Sequence, residues 1–162
     1  MKIEFVKPYI IFVPIILVQV FVIPLIAIEG ISPDLLIILL VFFTLKNGQL
    51  FGTVTGFIFG LIFDLISGSL LGTMMFSKTL SGFIAGYFYN ENKVDLYLSS
   101  YAFPMIVLLV TAIDSITLSF LTSFDLSTNI IALFFYQGLL PAVFTSVLTF
   151  IVTFFYPKGG YI

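Results

Sequence analysis

Apolar residues run along this chain in long blocks separated by short polar groups. The pattern lacks both the alternation of a half-buried strand and the single stripe of a water-facing helix. Six blocks predict six helices, at 8–28, 33–46, 50–67, 71–90, 97–121 and 129–156. The first is free of charge over about the twenty residues needed to cross a bilayer, and Pro14 and Pro24 each remove a backbone hydrogen bond and bend it. After the polar turn Glu29-Gly30-Ile31-Ser32, Ser32 reads as an N-cap, Pro33 as the first helical residue, and Asp34, a carboxylate at the positive helix end, most simply as an N-terminal cap. The second block rises only ~20 Å against a hydrocarbon core of ~30 Å. With the third it forms either two short crossings or a re-entrant hairpin around Lys46-Asn47-Gly48-Gln49. Tyr87-Phe88-Tyr89 ends the fourth block as an interfacial aromatic belt, and Gln137-Gly138 with Pro141 bends the last.

Between residues 52 and 86 small side chains and charges interrupt the apolar sequence. Gly52, Gly56 and Gly60 recur every four residues and share one helical face. In water each would weaken a helix by roughly 1 kcal/mol. In lipid such a row lets a second helix approach the backbone. Packing within the chain is the favoured reading, and a docking face for another protein's helix is the sharper one. Asp64 continues the row, and Lys78 lies on the next block, followed by Gly82 and Gly86. An isolated charge near the membrane centre costs about 3 kcal/mol or more. Asp64 and Lys78 are therefore expected to pair through a charge-assisted hydrogen bond, as a structural ion pair in preference to a transport site. Asp114 has Thr111 and Ser115 on nearly the same face, and is either satisfied by those hydroxyls or lines a polar pocket. The candidate intramembrane polar cluster is thus Asp64, Lys78, Asp114 and Asp34, and the helix-packing glycines are Gly52, Gly56, Gly60, Gly82 and Gly86. Gln137 reads as a helix-to-helix hydrogen bond, and the phenylalanines as lipid-facing bulk.

Composition places all of this in a membrane. Of 162 residues 60% are hydrophobic and 9% charged, and the mean hydropathy is +1.25, so the apolar surface exceeds what a core of this size can hide from water. The expected fold is an all-α integral membrane protein. It is a compact six-helix transmembrane bundle forming a single transmembrane domain over 1–162, with a short second–third helix hairpin. The absence of cysteine and histidine excludes disulfides, Cys/His zinc sites and a histidine acid or base. No nucleophile–base pair, phosphate loop or metal cluster can be assembled, so neither enzymatic activity nor a cofactor is expected. A net charge of −2 without basic runs argues against nucleic acid. With six crossings every lysine except Lys78 falls on one side, and by the positive-inside bias that side, with both termini, is cytoplasmic. Asp34, Asp64, Lys78 and Asp114 then lie in the outer half of the bilayer.

Several motifs occur in a recognisable order: Ser32-Pro33-Asp34-Leu35-Leu36, Gly56-x-x-x-Gly60-Leu61-x-x-Asp64, Gly68, Leu71-Gly72 and Gly82-x-x-x-Gly86. In this order and spacing, over about a third of the chain, the sequence resembles the MreD family, the integral-membrane member of the bacterial rod-shape complex. One departure is Lys46-Asn47-Gly48, where the family often carries arginine. The resemblance implies a non-enzymatic scaffold of cell elongation in the bacterial inner (cytoplasmic) membrane. The implied partners are MreC, through a membrane helix contact, MreB, and the peptidoglycan polymerase and transpeptidase. An alternative is the substrate-binding S component of an energy-coupling-factor vitamin transporter, a bundle of similar size whose ligand pocket lies in the outer half. The bulky first helix, without a small-residue patch, counts against it. An ion or lipid transporter is a third reading, supported only by the few intramembrane charges.

Overall fold

The computed structural model describes residues 7–27, 31–68, 70–122 and 134–155, and among them every regular element is a helix. The α-helices are α1 (Lys7–Leu17), α2 (Leu35–Asn47), α3 (Gln49–Ser67), α4 (Thr73–Ala85), α5 (Val94–Ser99), α6 (Ala102–Thr122) and α7 (Leu140–Phe155). Among the described residues the count is therefore seven, not the six expected. The added helix, α5, ends inside the block expected from 97 to 121, and α6 starts at Ala102. Pro104 has no N–H to offer the preceding turn, Ser100 is extended, and its hydroxyl accepts from the Ala102 N–H at 3.2 Å. The chain stops at Ser99 and starts again at Ala102, with Pro104 in the first turn, where a missing donor costs little.

Three helices among the described residues are long and apolar enough to cross a membrane: Pro8–Leu25, Gln49–Ser67 and Ala102–Thr122. Leu35–Asn47 and Leu140–Phe154 are apolar but shorter. The first combines α1 with a π-helical stretch, Val18–Val22, and a 3-10 turn, Ile23–Leu25, that holds Pro24. A second π-helical stretch, Phe134–Leu139, leads into α7 around Gly138. Both irregular stretches fall at or beside the bends expected from proline and glycine.

One of the short helices, α2, is the centre. Helix α2 buries Leu36, Ile37, Leu39, Leu40, Val41, Phe43, Thr44 and Leu45, the all-round burial of a helix enclosed by others. One side joins Ala85, Leu98, Phe103, Val107 and Val110 of α4, α5 and α6. The other meets Phe12, Ile16 and Phe59 of α1 and α3. Phe12 and Phe59 stack with centroids 4.0 Å apart. The reading of phenylalanines as lipid-facing bulk therefore fails for Phe12, Phe43, Phe59 and Phe103, which are buried, while Phe21, Phe120 and Phe154 are exposed. Gly48 alone links α2 to α3. Its φ of 95° lies in the left-handed region that L side chains avoid, and Lys46 beside it lies over the Phe42 ring at 4.5 Å.

Helices α3 and α4 meet backbone to backbone. A Cβ at Gly56 would overlap the Lys78 carbonyl, one at Gly60 the Met74 carbonyl, and one at Gly82 the Gly52 carbonyl. At Gly52 it would meet Thr44 and the Gly82 carbonyl, and at Gly86 the Gln49 side chain. The face formed by Gly52, Gly56 and Gly60 is covered by this chain's own α4, so it is not open as a docking face for another protein.

Candidate functional site

The first turn of α2 is where the polar side chains converge. Asp34 is the N-cap, with extended backbone, and its Oδ1 accepts from the N–H of Leu36 at 2.9 Å and of Ile37 at 3.2 Å. This satisfies helix-start donors that lipid could not. Of the two caps the sequence offers, Ser32 and Asp34, the helix start uses Asp34. A carboxylate is as good a cap as a hydroxyl and adds charge where the helix dipole favours it.

The other oxygen, Asp34 Oδ2, accepts from Lys78 Nζ at 2.5 Å, and the same ammonium donates to Asp114 Oδ2 at 2.7 Å. Asp114 Oδ1 accepts from the hydroxyls of Ser77 at 2.7 Å and Ser81 at 3.0 Å. Lys78 is 1% exposed. The aspartates differ, with side-chain exposures of 22% for Asp34 and 4% for Asp114. Three helices are therefore tied through one amine: α2 through its cap, α4 through Lys78, and α6 through Asp114.

This overturns the expected Asp64–Lys78 pair. The Asp64 carboxylate accepts from the backbone N–H of Gly72 at 2.9 Å, Met74 at 3.2 Å and Met75 at 3.1 Å. It serves as an acceptor for the open N-terminus of α4 across a short turn. Those donors are close in sequence and have no helical partner, whereas Lys78 reaches across to α2 and α6. Of the two readings of Asp114, the structure fits lining of a polar cavity, and the hydroxyls that bond it differ from the expected Thr111 and Ser115. They come from Ser77 and Ser81 on α4, and Thr111 Oγ1 is buried with no hydrogen-bond partner among the described residues. The side chain of Gln137 lies outside the described residues.

Gln19 was missed. Its amide accepts from the Leu35 N–H at 2.9 Å and donates to the Pro33 carbonyl at 3.1 Å, fastening the π-helical stretch of the first span to the start of α2. The signal was present, since Gln19 is the one amide in an otherwise apolar block. Thr145 of α7 was likewise unmarked, and its hydroxyl accepts from the Asp34 N–H at 2.9 Å.

Above the triad lies a partly open cavity of about 570 Å³, where α3 and α6 end and α2 and α4 begin. Asp34, Lys78 and Asp114 face it, with Ser115 and Ser119 from α6, Gln19 from the first span and apolar walls including Ile23, Phe63 and Leu118. Among the described residues no group of three or more potential metal ligands gathers. The arrangement can hold helices together and can present a charged floor to a small polar group.

Residues 1–158 match the family described as rod shape-determining protein MreD. No curated protein and no solved structure matches the chain. The alternative of an energy-coupling-factor S component gains no support from these comparisons.

Proposed function

The chain belongs to the MreD family of rod shape-determining proteins, and from that premise we propose that it is a non-enzymatic membrane scaffold of the cell-elongation complex. In this reading the bundle is a single transmembrane domain that crosses the bacterial inner membrane six times, with both termini in the cytoplasm. It engages MreC by helix-to-helix contact and helps organise MreB and the peptidoglycan polymerase and transpeptidase of lateral wall synthesis. The family match over 1–158 carries the proposal. Two features support it. The polar groups Asp34, Asp64, Lys78 and Asp114 are bonded within the chain, as befits a rigid frame, while large apolar side chains such as Leu25, Leu50, Met105 and Phe120 face outward, where lipid or a partner's helix can meet them.

The test is depletion in a rod-shaped native host. Cells lacking the protein are expected to round up and widen, and a plasmid copy is expected to restore rods. Retention of rod shape together with a new vitamin requirement would overturn the scaffold role. Cysteine labelling from either side of the membrane at Glu91 and at Ser67 tests the topology, since the two positions are expected on opposite faces.

A further inference from the structure

The floor of the large cavity carries an unbalanced charge. Two carboxylates against one ammonium leave a single net negative charge, and the described contacts of Asp34, Lys78 and Asp114 supply no second cation. Each carboxylate has about four lone-pair positions. Asp34 uses two on Oδ1 for backbone N–H groups and one on Oδ2 for Lys78. Asp114 uses two on Oδ1 for serine hydroxyls and one on Oδ2 for Lys78. One acceptor position remains on each Oδ2, and both residues line the cavity.

We propose that this cavity binds the primary ammonium group of an amphiphile, with Asp34 Oδ2 and Asp114 Oδ2 as its acceptors. A second ammonium opposite Lys78 completes an alternating square of two cations and two anions and removes the uncompensated buried charge. Competing chemistries fit worse. An anion meets a net negative floor. A hard metal ion wants six or more oxygens and finds one spare position on each of two carboxylates. A quaternary ammonium has no N–H to donate and prefers an aromatic cage, whereas Phe63 alone is aromatic among the described lining residues. The walls set the rest of the ligand: apolar Ile23, Phe63 and Leu118 stand beside the hydroxyls of Ser115 and Ser119. That mixture suits an aminoalkyl headgroup with a lipid tail, and the same ammonium chemistry could also come from a soluble amine. The inference does not depend on the scaffold role, and its test uses purified protein with no readout of cell shape.

The protein is placed in nanodiscs of equimolar phosphatidylethanolamine, phosphatidylcholine and phosphatidylglycerol, and retained lipid is counted by native mass spectrometry. Phosphatidylethanolamine is expected to be retained about tenfold over each of the others, the lower end of what a hydrogen bond to a charged group contributes. Asp34→Asn removes the net charge but keeps an equally good helix cap, and is expected to bring the ratio to about one. Ser115→Phe leaves the triad in place and fills the cavity, and should abolish retention by a separate route. If free ethanolamine raises the melting temperature and Asp34→Asn abolishes that rise, while no lipid is retained, the ammonium site stands and its source is soluble. Equal retention of phosphatidylglycerol or phosphatidylcholine by the unaltered protein would overturn the proposal. So would unchanged selectivity in Ser115→Phe.

Discussion

Replacing Lys78 with methionine tests the central claim about how the bundle is held together. Methionine keeps the length and apolar stem of lysine and removes only the ammonium, so packing against α3 is preserved while two carboxylates lose their shared cation. One of them, Asp114, has a side chain 4% exposed, and the other, Asp34, 22%. Removing one partner of a buried pair typically costs about 3–5 kcal/mol, because a charge is left without compensation. Asp114 keeps the hydroxyls of Ser77 and Ser81 and Asp34 keeps two backbone N–H groups, which places Lys78→Met near the lower end, at about 3 kcal/mol. The triple variant Lys78→Met, Asp34→Asn, Asp114→Asn removes all three charges and keeps hydrogen-bonding shape. It is expected to recover most of the loss, since an apolar or neutral replacement of a whole buried network is often close to neutral. Equilibrium unfolding in mixed micelles, followed by circular dichroism, measures both variants on one scale. A cost below about 1 kcal/mol for Lys78→Met, the range of exposed pairs, would refute the argument. So would a triple variant less stable than the single.

Other substitutions should separate the remaining interactions by size. Gly56→Leu drives a side chain into the Lys78 carbonyl and should cost more than the usual ~1–3 kcal/mol of overpacking, read as loss of folded protein in detergent. Gly68→Ala meets no atom within 4 Å but has φ 67°, so only about 1 kcal/mol of left-handed backbone strain is expected in the same assay. Asp64→Ala strips the acceptor from three backbone N–H groups at the start of α4. A loss of about 2–3 kcal/mol is expected, with Asp64→Asn intermediate, measured by unfolding and by faster amide exchange at Met74 and Met75. Gln19→Leu removes both bonds between the first span and α2. Interhelical hydrogen bonds in membranes average about 0.6 kcal/mol each, so a change near 1 kcal/mol is expected, with increased labelling of a cysteine placed at Ile16.

What could be read in advance followed from local chemistry. Proline and glycine marked the irregular stretches near Pro24 and Gly138, and the four-residue glycine spacing marks the face that α4 covers. Asp34, immediately after Pro33, was legible as a carboxylate at a helix start because its partners lie two and three residues away. Partners distant in sequence were not legible. Pairing Asp64 with Lys78 rests on the cost of leaving either charge alone in lipid, yet the N-terminus of α4 is closer still and equally in need of an acceptor. Lys78 finds Asp34 and Asp114 only because α4 packs against both α2 and α6, and nothing in its own segment reports that placement. The break at Ser100 escaped notice for a different reason. Pro104 in a continuous apolar run reads as a kink, and only the extended Ser100 and its bond to Ala102 identify a fresh helix start.

The few residues that open α2 touch the π-helical stretch of the first span through Gln19, α4 through Lys78 and α7 through Thr145, with α6 one bond further on. Such a junction has a consequence for how the molecule comes apart. Neither the first span nor α4, α6 or α7 can peel away alone without leaving a hydrogen-bonding group stranded in oil at the middle. Disassembly should therefore be concerted, a single sharp melt in place of a staircase.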